Sequence, residues 1–184
     1  GGDDGSFRAV IERTAVNPTL PSDLTKIGDY AFYQCSNLAL TSLPAGVTSI
    51  GRYAFNQCSN LALTSLPAGV TSIGGYAFNR CSNLALTSLP TALTTIDSYA
   101  FDYCYALDIT SIPAGVTSIG SYAFEKCTLL KSITFLGTPS TIGNRAFYNC
   151  SGLRTINAPW AEGAVTGAPW GATNVTINYN YTGG

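Results

Sequence analysis

Six cysteines set the ruler for this chain. Cys35, Cys58, Cys81, Cys104, Cys127 and Cys150 recur at a constant step of 23, and an Ala–Phe pair keeps the same step from Ala31–Phe32 to Ala146–Phe147. The stretch LTSLPAGVTSIGRYAFNQCSNLA (Leu40–Ala62) is followed at once by LTSLPAGVTSIGGYAFNRCSNLA (Leu63–Ala85), identical at 21 of 23 positions. A fixed period of this size marks stacked supersecondary units, each burying its apolar side chains against its neighbours. The middle of the chain is therefore one array.

In the second unit the apolar positions are Val47, Ile50, Ala54, Phe55, Cys58, Leu61 and Leu66, spread around the whole repeat. A unit that points apolar groups inward all the way round is one coil of a solenoid. LPAG opens each coil as a type I turn, with Pro44 at its second position and Gly46 at its fourth, a place that Asp23 and Ala92 also suit. VTSIG reads as a short strand burying Val47 and Ile50. The column Gly28, Gly51, Gly74, Asp97, Gly120 and Gly143 calls for residues that adopt positive φ or cap a helix. One helical turn is expected over YAFNQC, with Phe55 and Cys58 on one side, and SNLALTSL returns as a strand. Six coils spaced at about 4.8 Å make an array roughly 30 Å long on a parallel-sheet spine.

The interior of such a stack is a pair of ladders: Phe32, Phe55, Phe78, Phe101, Phe124 and Phe147, and the six cysteines. Three segments follow. Residues 1–20 are a tail and capping half-coil, in which Glu12–Pro21 keeps Leu20 and Pro21 but loses the cysteine; residues 21–158 are six repeats; residues 159–184 are a degenerate capping coil. In that last coil Val165 takes the isoleucine column, Trp170 the phenylalanine column, and Tyr179 and Tyr181 the strand columns, shielding the open end.

Hydrophobic residues make up 46% of the 184, enough for a core, while charged residues are 10% and the net charge is −1. That balance leaves no electrostatic footprint for nucleic acid or anionic lipid, and no apolar run approaches the length of a membrane-spanning helix. The absence of methionine and the opening GGDDG suggest a trimmed or mature piece of a longer product. Cysteines spread one per coil do not converge on a metal, and parallel side chains on stacked coils do not face one another for bridging, so they read as buried thiols. With no histidine to activate a thiol or hydroxyl, and glutamates only at Glu12, Glu125 and Glu162, neither a nucleophile nor a paired acid and base is evident. Asp3 and Asp4 read as part of a mobile acidic terminus rather than a calcium fragment. No enzyme, no cofactor and a monomer are expected.

The pattern in PAGVTSIGSYAFEKCTLLKSITF (Pro113–Phe135), repeated over about residues 21–158, resembles the BspA-like, treponemal-type leucine-rich repeats. The resemblance implies a right-handed leucine-rich-repeat coil with a parallel sheet on one face and short strands or one-turn helices on the other. It also implies a secreted or surface-exposed bacterial protein that adheres to a protein or glycan, host matrix and mucin being the candidates. The flanks FRAVIERTAV and APWGATNVTINY resemble those of repeat proteins encoded near prophage tail genes, which implies the alternative of a spacer or receptor-binding tail accessory.

One departure bears on the binding surface. The resemblance calls for an aliphatic residue three places after the strand leucine, as Ile133 and Ile156 supply, but four repeats place Thr41, Thr64, Thr87 and Thr110 there, with Leu40, Leu63, Leu86 and Ile109 one place earlier. Either a bulge tucks these aliphatics inside, or strand alternation turns them outward as a partner-binding stripe. The column Ala39, Ala62, Ala85, Asp108, Lys131, Arg154 grows charged toward the C-terminal end, making Asp108, Lys131 and Arg154 candidate contacts, and Arg52, Arg80, Tyr103, Lys126 and Tyr148 decorate the helical edge. The row Tyr30, Tyr53, Tyr76, Tyr99, Tyr122, ending at Arg145, is either a stack or a ligand-facing aromatic strip.

Overall fold

A computed structural model describes residues 15–183 and the backbone of residues 6 and 7. Asp3, Asp4, Glu12 and the first part of the expected N-terminal half-coil lie outside the described residues. Counted from Pro21 in steps of 23, coils one to six follow one another along a single axis, and every inter-coil pairing of strands is parallel.

The first face is a seven-stranded sheet built from β1 (Ser6–Phe7), β2 (Lys26–Ile27), β3 (Ser49–Ile50), β4 (Ser72–Ile73), β5 (Thr95–Ile96), β7 (Ser118–Ile119) and β9 (Thr141–Ile142). Ile27 pairs with Ile50, Ile50 with Ile73 and so on, so each isoleucine lies on its predecessor. The back face carries a four-stranded sheet in its C-terminal half only, from β6 (Ser111–Ile112), β8 (Ser132–Phe135), β10 (Thr155–Asn157) and β11 (Thr176–Asn178).

Between these faces no helix forms among the described residues. The segment expected as a helical turn instead alternates two kinds of hydrogen bond. Ala31, Tyr33 and Cys35 donate to the carbonyls of Gly28, Tyr30 and Phe32, while Tyr30, Phe32 and Gln34 donate across to Arg52, Ala54 and Asn56 of the next coil. Repeated along the stack, the second kind makes three continuous files of N–H···O bonds. Holding alternate peptides crosswise requires left-handed backbone at two columns, and Tyr53 (φ 56°), Gln57 (φ 57°), Tyr76 (φ 59°) and Arg80 (φ 61°) adopt it without being glycine or asparagine. A helix would leave no N–H for the neighbouring coil.

Two further local expectations change for steric reasons. The opening turn spans Pro44–Val47, closed by Val47 N–H to Pro44 O at 3.1 Å, so proline is its first residue and glycine its third. The glycine column owes nothing to positive φ. A Cβ on Gly120 would lie 2.2 Å from Ser98 N, and one on Gly74 2.7 Å from Arg52 N, so the backbones of adjacent coils touch here.

The core runs the length of the array. The phenylalanine rings stack at 5.3–5.6 Å with planes within 12°. The C-terminal end is closed by Trp160, Val165 and Trp170, all buried. Trp170 does not extend the phenylalanine stack: its carbonyl accepts from Phe147 N–H, the place alanine takes in earlier coils, and its ring meets Trp160 edge-on at 6.2 Å. The step from β10 to β11, Thr155 to Thr176, is two shorter than the repeat, and β11 ends at Asn178, so Tyr179 and Tyr181 fall beyond the strand.

Candidate functional site

The back face decides whether the aliphatic stripe is reachable. Leu40, Leu63, Leu86 and Ile109 are all buried in the core, and no partner touches them without unfolding the coil. The outward reading assumed unbroken strand alternation. Instead, Leu61, Leu63 and Leu66 point inward while Thr64 and Ser65 both point out, whereas in coil five the inward set is Leu130, Ile133 and Phe135. Both solutions begin and end at the same columns and differ only in where the doubled outward pair sits. The amides of Thr64, Ser65 and Leu66 accordingly bond to no neighbouring coil among the described residues, while Thr134 donates to Thr110 O at 2.9 Å. A bulge removes ladder bonds.

The thiols are closed to chemistry. All six cysteines are buried, and from Cys58 onward each Sγ donates to the phenylalanine carbonyl of the preceding coil at 3.0–3.1 Å. Burial raises Cys81, Cys104 and Cys127 well above the usual thiol range and pushes Cys150 up to about 12, so thiolate is scarce at neutral pH. Among the described residues no group of three or more His, Cys, Asp or Glu could hold a metal ion.

The tyrosines stack on one another at 4.6–4.9 Å, planes within 10°, so their faces are occupied and a sugar or peptide meets only hydroxyls and ring edges. Arg145 ends the row by donating Nη1–H to the Tyr122 hydroxyl at 3.0 Å.

Beside this row lies a polar ladder that the reading of the sequence missed. Asn56 Nδ2 donates to Asn79 Oδ1, and Asn79 Nδ2 to Asp102 Oδ1. Glu125 follows one coil on. Asn56 Oδ1 is buried and has no hydrogen-bond partner among the described residues. Asp102 is 4% exposed, and burial pushes its carboxyl up to about 6; the Asn79 bond and Arg80 oppose the rise and Glu125 adds to it. Glu125 is also raised by burial, with Lys126 and Arg80 opposing. The signal was available, because Asp102 and Glu125 stand one full repeat apart in the sequence and must be neighbours. Asp102 is buried, whereas Glu125 is half-buried.

A further cluster of partly accessible side chains lies at the corner where each coil turns toward the back. The Tyr103 ring is flanked by the Arg80 guanidinium at 4.2 Å and the Lys126 ammonium at 5.1 Å, and Tyr105 meets its edge at 6.0 Å. Tyr105 is 43% exposed and Leu129, one coil on, 37%. Asp108, Lys131 and Arg154 are exposed just past the corner, with Arg154 Nη1 donating to Ser151 O at 2.8 Å. Tyr105 escaped the sequence reading because it is a lone aromatic in a column of Ser36, Ser59, Ser82, Thr128 and Ser151, and Leu129 because it is a lone aliphatic in a column of Asn37, Asn60, Asn83, Ala106 and Gly152.

A family model described as the BspA type leucine rich repeat region, in six copies, matches residues 6–130 and 94–162. Among solved structures the chain is similar to the leucine rich repeat protein of T. pallidum, with 30% identity over 76% of this chain and 78% of that one, at a TM-score of 0.64. Looser matches are a leucine-rich repeat protein from Bacteroides ovatus (25% identity, 95% of this chain and 64% of that one, TM-score 0.35) and a leucine rich cell surface protein from Faecalibacterium prausnitzii (21%, 91% and 79%, TM-score 0.36). No curated protein matches the chain.

Proposed function

The chain belongs to the BspA-type leucine-rich-repeat family, and from that premise we propose that it is a non-enzymatic binding and adhesion module of a cell-surface or secreted bacterial protein, with a protein or glycan partner. One observation carries the reading. The ring, thiol and aliphatic ladders inside the stack stay constant from coil to coil, and beside exposed columns that are also constant, such as Thr48, Thr71, Thr94 and Thr117, the surface carries columns that vary, such as Ala62, Ala85, Asp108, Lys131 and Arg154. A scaffold that holds its interior fixed and varies its surface suits recognition, since each coil depends only on its neighbours. The buried thiols are consistent with a non-enzymatic role.

The test is retention of the purified chain on immobilised matrix proteins and mucin. Saturable binding to at least one is expected. Failure on all of them refutes adhesion and favours the alternative, a spacer or tail accessory.

A further inference from the structure

The corner changes character halfway along the array. In the first three coils it presents Gln34, Gln57, Ser36, Ser59 and Ser82, with Arg80 the first charge; in coils four and five the same columns become Tyr103, Tyr105 and Lys126, with Leu129 beside them. We infer that this corner docks an extended acidic peptide segment that seats an apolar side chain against Tyr105 and Leu129. The inference rests on the binding-module reading and adds the place and the chemistry of the partner.

Three features select that partner. Among the described residues the exposed large apolar side chains are Val16, Tyr30, Tyr105, Leu129 and Leu136, and of these Tyr105 and Leu129 stand on successive coils beside Arg80 and Lys126; aromatic residues with arginine are the usual centre of a protein interface. Arg80 and Lys126 already lie over the two sides of Tyr103, so less side-chain freedom is lost when they engage a carboxylate. They stand two coils apart, about 9.6 Å at strand spacing, which an extended chain covers in about three residues. The charge is also one-sided. Arg80, Lys126, Lys131 and Arg154 are four cations set against exposed Asp108, half-buried Glu125 and buried Asp102, a local positive excess on a chain of net charge −1, which favours an acidic ligand. An anionic glycan would use the cations and leave Tyr105 and Leu129 without a counterpart.

The experiment measures binding of the whole chain to three probes at about 0.1 M salt: a random glutamate–tyrosine copolymer, polyglutamate and heparin. The copolymer should bind tightest. Tyr105→Ser with Leu129→Ser, and separately Arg80→Glu with Lys126→Glu, should each weaken it about tenfold or more, with folding checked by circular dichroism. Heparin held as tightly as the copolymer, with loss only in the charge variant, overturns the inference in favour of a polyanion. No copolymer binding, or wild-type binding by both folded variants, also overturns it. Matrix or mucin retention that survives both variants would place adhesion elsewhere while leaving the broader reading intact.

Discussion

Replacing Asp102 by asparagine should make the protein more stable at neutral pH. The carboxyl is buried, its side-chain hydrogen-bond donor is Asn79, and its nearest charged neighbour along the ladder is Glu125. A carboxyl raised from 3.8 to about 6 by burial corresponds to about 3 kcal/mol at neutral pH, and solvent at the outer edge of the ladder reduces that to about 1–2 kcal/mol. The sign follows from linkage. With the folded-state value raised, the contribution to stability is fully present below pH 3.8 and is lost as pH rises through about 6. An asparagine at this position would keep the acceptor for Asn79 and present an amide to Glu125, extending the ladder already formed by Asn56 and Asn79. The assay is urea unfolding of wild type and Asp102→Asn from pH 4 to 7.5. The variant should gain about 1–2 kcal/mol at pH 7, little at pH 4, and show a flatter profile between them. Equal stability at pH 7, or an unchanged pH slope, would refute the account of the ladder.

Phe78→Ala, at the middle of the ring stack, should cost about 3–5 kcal/mol by chemical denaturation, and a loss below about 1 would mean the rings are not core. Native-state hydrogen exchange should separate the two halves of the back face: amides 64–66 and 87–89 exchange faster than 132–135 and 155–157, and equal protection would contradict the bulged back strands.

The period exposed most of the fold because every column could be read six times, and inward positions at Phe55, Cys58 and Ile50 follow from it directly. The crosswise files did not show, since left-handed backbone is normally announced by glycine or asparagine and here, apart from Asn149, is occupied by tyrosine, glutamine, arginine and lysine. Their stacking and inter-coil bonds outweigh the local cost. The aliphatic stripe was undecidable for a different reason: Leu-x-Leu-x-x-Leu fits both an outward strand and an inward bulge, and only contact with the next coil chooses. The polar ladder and the Tyr105–Leu129 corner needed column-by-column comparison of the residues that vary.

The three files have an electrical consequence. In an ordinary sheet peptide dipoles alternate and cancel. Here Arg52 C=O receives from coil one while Tyr53 N–H, on the same peptide, gives to coil three, and this orientation repeats in every coil. Each coil thus adds three aligned dipoles of about 3.5 D, as though helix turns had been laid end to end across the array. The side carrying the files is polarised along its length, carbonyl-negative toward coil one and amide-positive toward coil six. Lys126, Arg145 and Arg154 lie in the positive half, so the backbone itself reinforces the field they produce.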